Sequence, residues 1–159
     1  MRFVSLDTST QKSGCALFEN GELVDHTLID LHKMSNSDER MNEMCKSLAQ
    51  VLIRWKPDSV WIEYPEGKNG NIKTFNMLCE ILGAVRLYCV IKNCEYNEIN
   101  PPQWRKWLGM DQAKKKRAEL KQMSMDYVFE NYGIECNNDE ADSICIGLAV
   151  IAEFDKREE

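Results

Sequence analysis

Four carboxylates occupy positions where acidic side chains could act together. Asp7 and Glu63 each follow a short apolar segment that is typical of a buried strand. Asp139 and Asp142 are three residues apart at the start of a C-terminal helical pattern, and side chains with this spacing lie on one helix face. If the two strands are neighbours, their acids meet at the carboxyl edge of the sheet, where α/β sheets place their binding sites.

An acidic cluster of this kind favours metal chemistry. Four nearby carboxylates repel one another strongly unless a cation lies between them. Hard oxygen ligands suit Mg²⁺ or Mn²⁺ rather than zinc, and the chain contains only two histidines, His26 and His32. Two such ions about 3.5–4 Å apart can hold the attacking and leaving oxygens of a phosphodiester. The acids therefore predict a two-metal hydrolytic site.

Each acid also has a simpler interpretation. Asp7 could form a turn with the residues after it, and Glu63 could be an ordinary strand-end residue. Asp139 is a natural N-cap, and Asp142 suits the positive end of a helix dipole. We favour the cluster because all four simple interpretations would have to coincide at one sheet edge.

The segments that must position these acids alternate between strand and helix patterns. Five apolar segments are expected to be strands, at residues 2–6, 15–18, 23–29, 60–62 and 96–99. Four segments with helical periodicity are expected to be helices, at residues 38–55, 75–89, 115–132 and 139–154. Asn20-Gly21 is a strong signal for a tight hairpin. Ser37 is a candidate N-cap for the first helix, and Gly83-Ala84 would let the second pack closely against a neighbour.

This order predicts the fold class. Three strands of an antiparallel meander followed by alternating strands and helices indicate an α/β protein, with a mixed five-stranded sheet and helices on both faces. Strands one, four and five should be parallel, because helical crossovers join them. The chain has no internal repeat and no linker, so we expect residues 1–159 to form a single domain.

The charge distribution is compatible with binding of nucleic acid. The net charge is −6, but residues 101–121 contain seven basic and two acidic residues, a local charge of +5 that leaves −11 elsewhere. A basic patch on an acidic protein can bind a phosphate backbone, although a run of lysines can also be a solvated helix face. The candidate DNA-binding residues are Lys68, Lys73, Arg105, Lys106, Lys114, Lys115, Lys116 and Arg117.

Two further features bound the setting of the protein. Trp104 and Trp107 flank two basic residues and could stack on bases, but their spacing favours a helix packed on the core. No uninterrupted apolar run approaches the roughly 20 residues of a membrane span. The seven cysteines lack a C-x-x-C motif, which suits reduced thiols. We therefore expect a cytoplasmic protein that does not contact a membrane.

Several motifs along almost the whole chain resemble one family. They are Leu6-Asp7-Thr8-Ser9 with Ser13-Gly14-Cys15-Ala16-Leu17, Ile62-Glu63, Gly67-Lys68-Asn69 with Leu82-Gly83-Ala84-Val85, the proline-led basic segment 101–109, and Asp139-Glu140-Ala141-Asp142-Ser143. Together they resemble RuvC, the bacterial Holliday-junction resolvase of the ribonuclease-H-like superfamily. The short, acidic chain would suit a phage-type member that debranches DNA.

The resemblance implies a ribonuclease-H-like nuclease that acts as a homodimer on four-way DNA junctions. It assigns Asp7, Glu63, Asp139 and Asp142 as catalytic ligands of two Mg²⁺ or Mn²⁺ ions, and it places Lys116 or Arg117 near the scissile phosphate. The family carries an aromatic residue shortly after its second acid that stacks near the junction centre. Glu66 occupies that position here, which leaves Tyr64 as the candidate stacking residue.

Three alternatives remain open at this point. Another ribonuclease-H-like nuclease, acting on RNA–DNA hybrids or debranching DNA, would use the same acids. Residues 6–10 also resemble the first phosphate loop of actin-like ATPases and of TsaB-type tRNA-modification proteins. Those folds need a second phosphate loop, which this sequence lacks, and they leave the C-terminal acid pair unexplained. A non-catalytic DNA-binding module would have no reason to retain four carboxylates.

Overall fold

The computed structural model describes residues 1–65, 71–110 and 112–158. It contains the strands β1 (Arg2–Asp7), β2 (Lys12–Glu19), β3 (Glu22–Asp30), β4 (Ser59–Glu63) and β5 (Glu95–Ile99). Its helices are α1 (Ser37–Trp55), α2 (Ile72–Lys92), α3 (Pro101–Trp107), α4 (Arg117–Tyr132) and α5 (Asn138–Glu158).

The strands form one mixed sheet in the order β3-β2-β1-β4-β5. Strand β2 pairs antiparallel with both β1 and β3, whereas β4 pairs parallel with both β1 and β5. The hairpin between β2 and β3 turns at Asn20 and Gly21, whose φ angles of 51° and 86° are both positive, as a type I′ turn requires. The predicted fold class, the meander and the parallel strands are confirmed.

Helices cover both faces of the sheet. On one face, α1 and α2 bury apolar side chains such as Leu48 and Val85 against Val4 and Ile62. On the other face, α3, α4 and α5 pack Trp104, Val128 and Ile144 against Phe3 and Phe18. Residues 3–6 of β1 are all buried. Because successive side chains point to opposite faces of the sheet, the strand that ends in Asp7 contributes to both cores.

Two helix starts differ from the sequence-based expectation. The N-cap of α1 is Asn36 rather than Ser37, because the Asn36 side chain accepts hydrogen bonds from the backbone N–H groups of Asp38 and Glu39 at 3.0 and 3.1 Å. At the start of α5, the Asn137 side chain accepts from the Glu140 N–H at 2.9 Å. Asparagine is as good an N-cap as serine or aspartate. Residue type alone therefore does not decide which of two neighbouring polar residues caps a helix.

The basic segment contains a helix that periodicity did not reveal. Helix α3 has only seven residues, too few for an apolar repeat, and Pro101 and Pro102 fill its first positions, where a missing N–H is harmless. The lysine run was expected to begin the next helix. It instead forms the connection to that helix. Lys114 has a left-handed φ of 59°, Lys116 is the N-cap, and α4 begins at Arg117.

Helix α2 has an unusually apolar outer surface. Among the described residues it is the one helix long and apolar enough to cross a membrane, although only 22% of its apolar window is buried. Its apolar sequence is not an uninterrupted run, because Glu80 and Arg86 lie within it. Gly83 does not serve close packing either, since a Cβ atom there would meet nothing within 4 Å.

Candidate active site

Asp7 and Glu63 end two adjacent parallel strands. Leu6 of β1 pairs with Ile62 of β4, so the residues that follow lie side by side at the carboxyl edge of the sheet. Glu63 in turn pairs with Ile99 at the end of β5, and the Tyr64 N–H donates to the Ile99 carbonyl at 2.8 Å. The sheet therefore holds both acids on a rigid, hydrogen-bonded edge.

The start of α5 approaches this edge across β2 and β1. Gly14, which pairs with Asp7, lies so close to the Asp139 backbone that a Cβ atom would overlap it. One turn later, the buried Ser5 hydroxyl donates to the Ser143 carbonyl at 2.7 Å. These two contacts fix the first turns of α5 over β1, which brings Asp139 and Asp142 to the two strand-end acids.

The four acids line one pocket of about 820 Å³. Among the residues that the structure describes, four basic ones line the same pocket: Arg105, Lys115, Arg117 and Lys121. The turn after β1 contributes Thr8, Ser9 and Thr10. The pocket thus combines carboxylates with cations and hydroxyl groups, a donor set suited to a metal-bound phosphate.

Asp7 is the acid most strongly affected by its surroundings. Burial raises the pKa of its carboxyl group well above the usual range, and the charges of Glu63, Asp142 and Asp139 raise it further. Lys121 acts in the opposite direction. A carboxylate surrounded in this way is poorly hydrated and repelled by its neighbours, which are the conditions that favour binding of a cation.

Asp142 is also buried, but neighbouring groups partly offset the effect of burial on its pKa. Burial raises its pKa, while the Ser124 hydroxyl, Arg105 and Lys121 lower it. Its buried Oδ1 atom has no hydrogen-bond partner among the described residues. An unsatisfied carboxylate oxygen in the interior costs free energy, so this atom is suited to coordinate an ion from the pocket.

Glu63 and Asp139 are each held by a side chain of another residue. The indole N–H of Trp104 donates to Glu63 Oε2 at 2.7 Å. The side-chain amide of Asn138 donates to Asp139 Oδ1 at 3.0 Å. Within the described residues, no three acidic, histidine or cysteine side chains are already gathered as a metal-ligand set. Binding of a cation would therefore require small movements of side chains that already share the pocket.

The predicted basic residues divide into two groups. Arg105, Lys115 and Arg117 line the pocket with the acids, whereas Lys106, Lys114 and Lys116 are exposed outside it. Lys73 lies in the first turn of α2, where it lines a separate pocket with Asp38 and Glu80. Lys68 falls outside the described residues. Fewer of the predicted basic residues therefore lie beside the acids than the sequence suggested.

Tyr64 directly follows Glu63, the last residue of β4. Its side chain is 41% exposed and does not line the pocket, so its proposed stacking role depends on where a junction would lie.

Two residues at this site were not assigned to it from the sequence. Lys121 lies one turn into α4, beyond residues 114–117, which were the candidate DNA-binding residues of this segment. Trp104 was expected to pack on the core, which the structure confirms at 0% exposure, but its N–H also reaches Glu63. The i+4 spacing of Arg117 and Lys121 on one helix face was the available signal for Lys121.

Comparison with known proteins identifies the fold. No family model and no curated protein sequence matches the chain. The structure is similar to Thermus thermophilus RuvC in complex with a Holliday junction substrate, with a TM-score of 0.74 and 16% identity, covering 98% of this chain and 96% of that one.

Two further resolvases are similar over almost the whole chain. A fowlpox virus resolvase in complex with Holliday junction DNA matches with a TM-score of 0.66 and 17% identity, covering 97% of this chain and 99% of that one. The yeast mitochondrial Holliday junction resolvase Ydc2 matches with a TM-score of 0.57 and 16% identity, covering 99% and 84%. The chain therefore has the fold of these proteins, which confirms the fold expected from the RuvC resemblance.

Proposed function

We propose that this protein is a metal-dependent endonuclease that resolves four-way or other branched DNA junctions. The observation that carries the proposal is the convergence of four acids from three separate elements, β1, β4 and α5, on one pocket that also contains four cations. This arrangement occurs within a fold shared, over nearly its full length, with proteins whose structures are complexes with Holliday junctions.

The acids are proposed to hold Mg²⁺ or Mn²⁺. Asp7, Glu63, Asp139 and Asp142 would be the ligands, and the bound ions would supply Lewis-acid activation of water and stabilisation of the leaving oxygen. The poor hydration of Asp7 supports this assignment, as does the Oδ1 atom of Asp142, which has no hydrogen-bond partner among the described residues. The carboxylates alone would repel a phosphodiester, so the pocket is suited to DNA only when cations offset their charge.

The basic residues are proposed to bind and orient the scissile strand. Lys121 and Arg105 lie near the acids, as their effects on Asp7 and Asp142 indicate. Lys115 and Arg117 line the same pocket from the connection and first turn of α4. We assign these four residues to the phosphates beside the cleaved bond, and Lys106, Lys114 and Lys116 to more distant phosphates.

Symmetric resolution of a junction would require two active sites, and we propose that α2 forms the contact between two copies. Leu87, Val90 and Ile91 near its C-terminal end are 60%, 73% and 69% exposed. A contiguous exposed apolar surface of this kind marks an interaction site, and a two-fold symmetric dimer buries the same surface on both subunits. The dimer would place one acidic pocket on each copy.

Cleavage of a synthetic four-way DNA junction tests the proposal. We expect paired nicks in opposing strands in the presence of Mg²⁺ or Mn²⁺, none in EDTA, and none with Asp7→Asn under either condition. Glu130→Gln is the matched control, because Glu130 is an exposed acid on α4 that does not line the pocket. It should cut as the unsubstituted protein does.

Other outcomes would change the assignment. Faster cutting of an RNA–DNA hybrid than of a junction would assign the same acids to a different ribonuclease-H-like nuclease. Junction binding without cutting, in Mg²⁺ and in Mn²⁺ alike, would refute the nuclease and leave a binding module.

A further inference from the structure

The hydrogen bond between Trp104 and Glu63 joins a core residue to an acid of the pocket. The indole Nε1–H of Trp104 donates to Glu63 Oε2 at 2.7 Å. This distance is at the short end of the range for an N–H donor and a carboxylate. Glu63 belongs to β4 and Trp104 to α3, so the bond crosses from one element of the fold to another.

The position of Trp104 is tightly determined by the elements around it. Helix α3 begins directly after β5, with the Asn100 side chain accepting from the Gln103 N–H at 3.0 Å as its N-cap. Strand β5 lies beside β4 and ends level with Glu63. The first turn of α3 therefore starts at the same sheet edge as the acid, which places position 104 within reach of it.

The indole ring itself has little freedom. Trp104 is completely buried and packs in the core cluster that contains Ile99, Ala141 and Cys145. The guanidinium of Arg105 lies 4.4 Å from the centre of its ring. A ring packed on its surfaces cannot change rotamer without opening the core, so its N–H is a fixed donor aimed at Glu63.

We propose that Trp104 is a positioning residue that fixes the Glu63 carboxylate in the orientation in which it binds the metal. A glutamate side chain has several accessible rotamers, and holding one oxygen restricts them before an ion arrives. Groups that orient metal ligands in this way are needed for full metal affinity. The inference rests on the proposed function, because it presumes that Glu63 is a ligand.

A buried tryptophan could also donate this bond merely to satisfy its own N–H. The two roles differ in what they predict. A purely structural bond would lower the stability of the protein when removed and leave metal binding unchanged. A positioning bond would weaken metal binding, and it would do so only while Glu63 is present.

The test compares Trp104→Phe with Trp107→Phe. Both changes remove an indole from α3, but Trp107 is only partly buried and lines no part of the acidic pocket. The readout is the Mn²⁺ concentration that gives half of the maximal rise in melting temperature, measured without DNA. We expect Trp104→Phe to raise this concentration about 10-fold or more, and Trp107→Phe to leave it unchanged.

A second background separates positioning from general damage. In Glu63→Gln, which itself binds Mn²⁺ more weakly, adding Trp104→Phe should cause no further loss, because the two residues act as one unit. An equal loss in both backgrounds would overturn the inference. So would Mn²⁺ titrations in which Trp104→Phe matches the unsubstituted protein, and in that case the proposed nuclease would stand.

An NMR measurement does not depend on whether Trp104→Phe folds. The indole ¹H–¹⁵N signal of Trp104 is recorded in the metal-free unsubstituted protein and in Glu63→Gln. Loss of the acceptor's charge should move this signal and leave that of Trp107 in place. A Trp104 signal that does not move would overturn the inference. Absence of any Mn²⁺ stabilisation of the unsubstituted protein would instead refute the metal site, and the inference with it.

Discussion

Gly14 lies directly against the backbone of Asp139, and the absence of a side chain there is what lets α5 reach the acidic edge of the sheet. A Cβ atom at position 14 would overlap the Asp139 carbonyl group. The obstacle is backbone rather than a flexible side chain, so it cannot move aside without shifting the start of α5. Gly14 also pairs with Asp7 across β1 and β2, so one residue sets the separation of two acids.

We therefore expect Gly14→Ala to reduce both stability and cleavage. Overpacking of this kind costs about 1–3 kcal/mol, which urea unfolding would detect, and displacement of Asp139 should also weaken Mn²⁺ binding. Gly83→Ala is the matched control, because its Cβ would meet nothing within 4 Å on an exposed part of α2. That change should raise helix stability by up to about 1 kcal/mol and leave cleavage intact.

The electrostatics of Asp7 predict an unusual dependence of stability on pH in the absence of metal. Its pKa is raised in the folded protein above its unfolded value, so the folded state binds the proton more tightly. This contribution to stability is fully present below the unfolded pKa and is lost as the pH rises through the folded pKa. The stability that Asp7 contributes to the metal-free protein should accordingly fall from about pH 4 upwards.

Asp7→Asn should remove that dependence. Without metal, the variant should be more stable than the unsubstituted protein at neutral pH, since it no longer buries a charge beside three other carboxylates. With Mn²⁺ the order should reverse, because the variant lacks a ligand. Urea midpoints at several pH values, with EDTA or Mn²⁺, would measure both effects. A variant that is less stable than the parent in EDTA at pH 7 would contradict the description of Asp7.

Lys121 should affect DNA and metal in opposite directions. Its charge lowers the pKa of both Asp7 and Asp142, so it also opposes the approach of a cation. Lys121→Met should strengthen Mn²⁺ binding slightly while slowing junction cleavage by roughly 100-fold, as loss of a charge-stabilising group commonly does. Thermal shifts and single-turnover cleavage give the two readouts.

Lys106→Met provides the comparison, because Lys106 is exposed on α3 outside the pocket. It should weaken junction binding modestly and lower the salt dependence by about one unit of slope, with the cleavage step unchanged. Equal losses in cleavage for the two variants would mean that Lys121 has no special position at the reaction site.

If the exposed apolar C-terminal end of α2 forms the dimer contact, a charged residue placed there should prevent dimerisation. Val90 is 73% exposed, and a lysine there would place a charge at the centre of the proposed dimer contact, which buried interfaces disfavour. Val90→Lys should convert dimers to monomers in sedimentation velocity and uncouple the paired nicks. Val24→Lys is the control, since Val24 is 54% exposed on β3. A parent protein that sediments as a monomer would refute the contact.

Much of the fold followed from local patterns in the sequence. The Asn20-Gly21 turn determined the hairpin between β2 and β3, because two adjacent positive φ angles are accessible to these residues. Helical spacing in α1 and α5 is unambiguous over many turns. Helix α3 was missed because seven residues cannot display a period, and its proline start resembles a loop signal as much as a helix start.

The sequence by itself determined which acids end strands and which begin the last helix, because burial imposes a period on each segment and acidic residues interrupt it. It could not determine that Trp104 donates to Glu63, that Lys121 faces Asp7 or that Lys73 lies elsewhere. Those relationships join residues from different elements, and their distances depend on how α3, α4 and α5 pack on the sheet. Only the tertiary structure, through contacts such as Gly14 with Asp139, decides that packing.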